Sequence, residues 1–183
     1  PSRRTYPLSL VQQPMINYRQ PDLTEHPPRS LRVRLGGYAH LCRLLDKARA
    51  VIANKGGEYH YNCPLDGAFF GFTGIDHAAM LAEIKTGKTD VEMLAGVSTQ
   101  TKQPPHQIAA WSAWLELHGP GDADGHEWAA SVIKGHKSAR DDIRGYADLL
   151  DLDDYMSFGG AAQSVGTHST ASALRPRRRG SPS

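Results

Sequence analysis

The decapeptide Gly57-Glu58-Tyr59-His60-Tyr61-Asn62-Cys63-Pro64-Leu65-Asp66 gathers two acids, an imidazole, two phenols, an amide and a thiol just ahead of an apolar run. Polar groups drawn into a fold must each find a partner, so this density is costly where only a turn is needed. Cys63 stands before Pro64, which places it at or beside the start of a helix, with Asn62 or Cys63 itself as cap. The partial positive charge of a helix N-terminus favours a thiolate nucleophile, and Asp66 one turn on opposes it. A buried, inert thiol is the plainer alternative. His60 points away from both flanking tyrosines if the segment is extended, and an imidazole there could act as general acid or base near neutrality. Its plainer role is a hydrogen-bonded tie between loop and helices.

These groups need a partner surface. Cys42, Asp46 and Arg49 share one face of the preceding helix, and His40, Arg43 and Lys47 form the neighbouring row. If the loop folds back on this helix, Asp46 and Arg49 converge with Glu58 and His60 in one polar pocket. His60, Cys63 and Asp46 are then the candidate catalytic set. Arg49, Glu58, Tyr59, Tyr61, Asn62 and Asp66 are candidate ligand contacts, with Arg49 able to clamp a carboxylate or phosphate. The plainer reading of both rows is a solvated face carrying weak ion pairs. No metal site is expected: Cys42, Glu58, His60 and Cys63 are eligible ligands, but neither Cys-x-x-Cys nor His-Glu-x-x-His spacing occurs. No cofactor is expected either.

The bulk composition narrows the setting. Of 183 residues 39% are apolar, and the net charge of +2 is spread unevenly. Residues 1–30 carry +2, residues 155–183 carry +4, and the stretch between carries −4. A mildly acidic core argues against nucleic-acid binding, which needs clustered Lys and Arg. The run Arg175-Pro176-Arg177-Arg178-Arg179 reads as a solvated tail. Two cysteines are too few for a disulfide scaffold and suit a reducing cytoplasm. No apolar run is long enough to span a membrane. Residues 1–14 lack the apolar core of a signal peptide, and Met15 is a candidate start.

Pro7, Pro14, Pro21, Pro27 and Pro28 mark an extended arm, and the Gly-, Ser- and Arg-rich end beyond Phe158 reads as disordered. Between them the spacing predicts helices over 38–52, closed by Lys55-Gly56-Gly57, and over 63–72. Another begins at the cap Asp76, with Ile75 and Met80 at staple spacing, and ends at Gly87. The capping box Thr89–Glu92 starts the fourth, Pro104-Pro105 opens the fifth, and 125–135 gives a weaker sixth. Asp141 or Asp142 caps the last, which buries Ile143, Tyr146, Ala147, Leu149 and Leu150. Trp111 and Trp114 read as core and rim. The 58–62 alternation is too short for a sheet. The expected architecture is all-α: a compact bundle of six or seven short helices. Its segments are an extended or disordered 1–21, a single helical domain over 22–156, and a disordered 157–183.

The motifs Leu35-Gly36-Gly37-Tyr38, Leu45-Asp46-Lys47-Ala48-Arg49-Ala50, Glu58 to Asp66, Phe72-Thr73-Gly74-Ile75-Asp76 and Asp148-Leu149-Leu150-Asp151 resemble a bacterial domain-of-unknown-function family, number 5069. The resemblance spans about 22–154. It implies a free-standing soluble bacterial domain and brings no activity with it. Two functions fit the residues. One is a module that binds a small, acidic ligand or a protein at the 58–66 loop. The other is a small enzyme using Cys63 as nucleophile or His60 as acid/base. Arg29, Arg32 and Arg34 are expected to pin the arm to acids such as Asp148 or Asp151.

Overall fold

The apolar row Leu41, Leu44, Leu45 and Ala48 folds into helix α1 (Leu41–Ile52) and becomes the middle of the core. The computed structural model describes residues 16–159, which hold six further helices. These are α2 (Pro64–Thr73), α3 (His77–Lys85), α4 (Asp90–Gln100), α5 (Pro105–Leu117), α6 (Ala123–Gly135) and α7 (Tyr146–Ser157). Among the described residues the only β pairing is one isolated bridge, Leu35 to Tyr38, so the all-α expectation holds. Residues 1–15 of the expected N-terminal arm and 160–183 of the expected tail lie outside the described residues, and Ser157, expected in that tail, ends the last helix.

Phe69 and Phe70 from α2, Ile75, Met80 and Ile84 around α3, and Met93 and Val97 from α4 close over the apolar face of α1. Trp111 of α5 stacks on Phe72 at 4.6 Å, while Trp114 is half exposed, in line with core and rim. Helix α7 packs against both α5 and α6. The caps read from sequence are present: Asp76 accepts the Ala79 N–H at 2.8 Å, and Thr89 and Glu92 bond reciprocally. Ile75 and Met80 are both buried, as a staple requires.

Several boundaries differ from the sequence reading, each for a local reason. Helix α1 begins at Leu41 because Leu35 and Tyr38 exchange backbone hydrogen bonds, and the buried Ser112 hydroxyl takes the Ala39 N–H. At its other end the left-handed residue is Asn54, φ 56°, so Gly56 and Gly57 lie beyond the cap. Helix α7 starts at Tyr146, with its first-turn Asp148 accepting the Arg144 and Gly145 N–H groups, so neither Asp141 nor Asp142 caps it. Ile143 therefore precedes the helix. Gly57, φ 57°, is required for a different reason, since a Cβ there would meet the Leu23 carbonyl oxygen at 2.9 Å.

Every residue of α1 from Leu41 to Ala50 is buried, including Arg43, Asp46, Lys47 and Arg49. The apolar face is covered by helices. The polar faces are covered by the 18–34 arm on one flank and by α7, the 57–63 loop and the first turn of α2 on another. The arm supplies Arg29, whose backbone N–H and two guanidinium nitrogens bind Asp46 at 2.7–3.0 Å while the third guanidinium nitrogen binds Asp90 at 2.7 Å. Arg32 pairs with Asp148 and Asp151, as expected, whereas Arg34 takes Glu116.

Candidate functional site

A cavity of about 560 Å³ opens between the 57–60 loop, the row formed by the N-cap residue His40 with Arg43 and Lys47 of α1, the start of α2 and the end of α7. The local chain makes this possible in two steps. Asn62 takes the left-handed region (φ 63°), which turns the loop back into α2, and Cys63 becomes the N-cap residue. The arm then lays Leu23 and Thr24 along the loop, with the Leu23 N–H donating to the Lys55 carbonyl at 2.9 Å.

Asp66 organises the inner wall. Completely buried, it accepts from the Lys47 ammonium at 2.8 and 2.9 Å, from the His40 imidazole Nε2 at 2.7 Å and from the Cys63 N–H at 3.2 Å. Burial alone would raise its pKa. The His40 hydrogen bond and the Lys47 charge outweigh that and hold the carboxyl below its ordinary value. Burial also lowers the pKa of His40, with Lys47 and Arg43 adding to the effect against the pull of Asp66. A neutral ring donating Nε2–H to Asp66 has its acceptor lone pair on Nδ1. That atom is buried and has no hydrogen-bond partner. Lys47 also donates to the Cys63 sulfur at 3.2 Å.

The outer wall is tied to α7. Arg43 donates to Asp154 at 2.6 and 3.1 Å, and the Tyr59 hydroxyl donates to the same carboxylate at 2.7 Å. The Arg43 guanidinium lies over the Tyr59 ring, 5.5 Å from its centre. Burial, reinforced by Asp154, pushes the Tyr59 phenol well above its usual range, so it stays a donor. His60 is exposed and its Nδ1 donates to the Glu58 carbonyl at 2.6 Å, which leaves Nε2 as the acceptor of the neutral ring.

Of the candidates named from sequence, Glu58, Tyr59, His60 and Cys63 line the cavity. Asp66 stands behind the wall. Tyr61 turns to the core, its hydroxyl on the His77 carbonyl at 2.8 Å and its ring against Phe70. Asn62 is exposed and outside the lining. Asp46 and Arg49 are also outside it: Asp46 is taken by Arg29, and Arg49 by Asp90, the Tyr18 carbonyl and the Lys88 carbonyl. The loop therefore meets α1 through the row next to the one that the pocket reading favours. His40, Lys47 and Asp154 complete the site. Their signal in sequence is faint: His40, Arg43 and Lys47 share a helix face, but nothing local shows that the face is covered.

No curated protein matches the chain. Among the described residues no helix is long and apolar enough to cross a membrane. A family model does match, over residues 25–156, which takes in the arm from Glu25, the whole cavity wall except Leu23, Thr24, Ser157 and Phe158, and helices α1 to α6 with nearly all of α7. The chain belongs to that family, Domain of unknown function (DUF5069).

Proposed function

We propose that this protein is a small-ligand-binding module whose site is the cavity between the 57–60 loop and the His40–Arg43–Lys47 row. The observation that carries the reading is the cavity itself. At about 560 Å³ it has the size of small-molecule sites, and apolar Leu23, Leu65, Leu150 and Phe158 alternate in its wall with a few placed polar groups. The acidic ligand suggested by the sequence fits less well. Lys47 and Arg43 already face Asp66 and Asp154, while Glu58 and Asp153 add negative charge. A neutral compound with hydrogen-bonding groups suits the lining better. A reducing cytoplasm, in keeping with the two free thiols, would keep Cys63 in thiol form.

The test is a fragment screen by two-dimensional NMR on the whole chain and on Ser157→Trp, which places a bulky ring at the exposed end of the lining. Binders should shift resonances of Tyr59, His60, Cys63 and Leu150, and lose affinity in the variant. A screen whose binders all map elsewhere, or that finds none, overturns the reading.

A further inference from the structure

Helices α5 and α6 leave an aromatic surface uncovered. Trp114, Leu117 and Trp128 are all exposed, Leu117 to 82%. Trp114 and Leu117 are three residues apart and share one face at the end of α5. From Trp114 the rings run as a ladder onto the neighbouring helices. Trp114 and His118 have centroids 4.6 Å apart, His118 and Tyr146 5.4 Å, and Tyr146 and Trp128 5.9 Å. Large apolar side chains gathered in water at one place mark an interaction surface.

The charge around this surface has one sign. From Gln103 to Ile133, through α5 and most of α6, the chain has four acids, Glu116, Asp122, Asp124 and Glu127, and no Lys or Arg. Glu116 is taken by Arg34 of the arm. Asp124 and Glu127 are exposed, and Asp124 has both Glu127 and Trp128 as its neighbours one turn on. Arg144, two residues before Tyr146, joins Arg140 in holding the Asp142 carboxyl below its ordinary value, so its charge is already engaged. Exposed indoles beside free carboxylates suit a guanidinium, which stacks on a ring while its N–H groups turn to the acid. The same sign disfavours other occupants. A second copy of this surface would bring like charges together, and phosphate-bearing partners would be repelled.

The chain itself carries a ligand of that chemistry. Residues 160–183 hold four Arg and no acid, all four in the run Arg175-Pro176-Arg177-Arg178-Arg179. The 16 residues from Gly159 to Arg175 can reach up to about 50 Å. That is well beyond the roughly 18 Å by which the 12-residue α7 separates Gly159 from Tyr146. We propose that residues 175–179 dock on the Trp114–Trp128 surface of their own chain, with arginines over the indoles and beside Asp124 and Glu127. Tethering sets a local concentration on the order of 1 mM, so a contact that is weak for a free peptide is populated in the whole chain. This surface is separate from the cavity, and the proposal does not depend on the cavity binding a ligand.

The probes are the indole N–H resonances of the full chain and of R175Q/R177Q/R178Q/R179Q, which keeps the length and changes nothing in the helical domain. The Trp114 and Trp128 signals should differ between the two, while Trp111, stacked on Phe72, stays in place. The difference should shrink as salt rises from about 0.05 to 0.5 M, which screens surface charge. D124N/E127Q in the otherwise unsubstituted chain should move both indoles towards their positions in the quadruple variant. A synthetic peptide of residues 172–183, added to the quadruple variant, should restore the shifts with half-saturation at or below about 1 mM. An unchanged indole spectrum in the quadruple variant, an equal movement of Trp111, or a peptide that needs more than about 10 mM overturns the proposal. Constant differences on dilution from about 1 to 0.05 mM protein support docking within one chain, since tethering fixes the local concentration. Differences that fade on dilution give the surface to a neighbouring copy's tail and overturn it.

Discussion

Arg43 of α1 and Asp154 of α7, 111 residues apart in sequence, meet in a two-point contact of 2.6 and 3.1 Å, and both are buried. The Asp154 carboxylate raises the Arg43 pKa against the opposing effect of burial, so the guanidinium stays charged. Removing one partner leaves an uncompensated charge. Asp154→Ala should therefore lose about 3–5 kcal/mol in denaturant unfolding. Tyr59→Phe, which removes only the second donor to that carboxylate, should lose about 1.5–3 kcal/mol. The double variant R43M/D154A should recover much of the loss, because no charge is then stranded.

The arm contributes by the same logic. A chain lacking residues 1–34 loses the fully buried Leu23 and Leu31 and strands Asp46, so it should show no cooperative thermal transition. Within the whole chain, Arg29→Lys keeps the charge but not the fork, and should cost about 1–3 kcal/mol. Arg32→Ala removes a half-exposed pair and should change stability by less than about 1 kcal/mol. An equal effect at Arg29 and Arg32 would show that burial does not separate them.

His40 gives the fold an acid limit. Its folded pKa lies below the unfolded value near 6.5, and the charged groups facing it are Asp66, Lys47 and Arg43. A depressed value means the unfolded chain takes the proton first as pH falls. The stabilisation is therefore complete above about pH 6.5 and is lost progressively below it, toward the folded value. Over that window the free energy of unfolding should drop by up to about 1.4 kcal/mol per pH unit from this group. Unfolding curves of H40Q should be flatter by that amount, and identical slopes would remove His40 as the cause.

The two thiols should separate cleanly. Burial pushes Cys42 up to about 11, and it is almost wholly enclosed, whereas Cys63 faces the cavity. Ellman's reagent on the native chain near neutral pH should therefore release one equivalent, carried by Cys63, with the second appearing only in denaturant.

Gly57→Ala tests how the loop is held. The left-handed backbone and the 2.9 Å approach to the Leu23 carbonyl leave no room for a methyl group. The loss should be about 1–2 kcal/mol by thermal or chemical unfolding, and the loop resonances from Glu58 to Cys63 should move with it.

The helices were legible because their signals are local. Asp76, the Thr89–Glu92 pair and Pro105 each act within one turn, and α3 to α5 begin within a residue or two of where those signals place them. The start of α7 was less so, since Asp141 and Asp142 look like caps while Gly145 takes that position with Asp148. The site was half legible. The decapeptide was visible as a polar cluster, and its contact with α1 follows. Which row of α1 it meets was hidden, because that depends on Arg29 reaching Asp46 and Asp154 reaching Arg43, and pairs 17 and 111 residues apart leave no mark on helical spacing. For the same reason a row that reads as solvated is among the most enclosed parts of the molecule.

The enclosure of α1 bears on how the chain comes apart. Peeling away the arm exposes Asp46, lifting α7 exposes Arg43, and opening the start of α2 exposes Lys47, so each separate loosening uncovers an ion that has lost its counterpart. Partial opening is penalised on three flanks at once, and amide protons along this one helix should exchange together, only when the whole domain unravels.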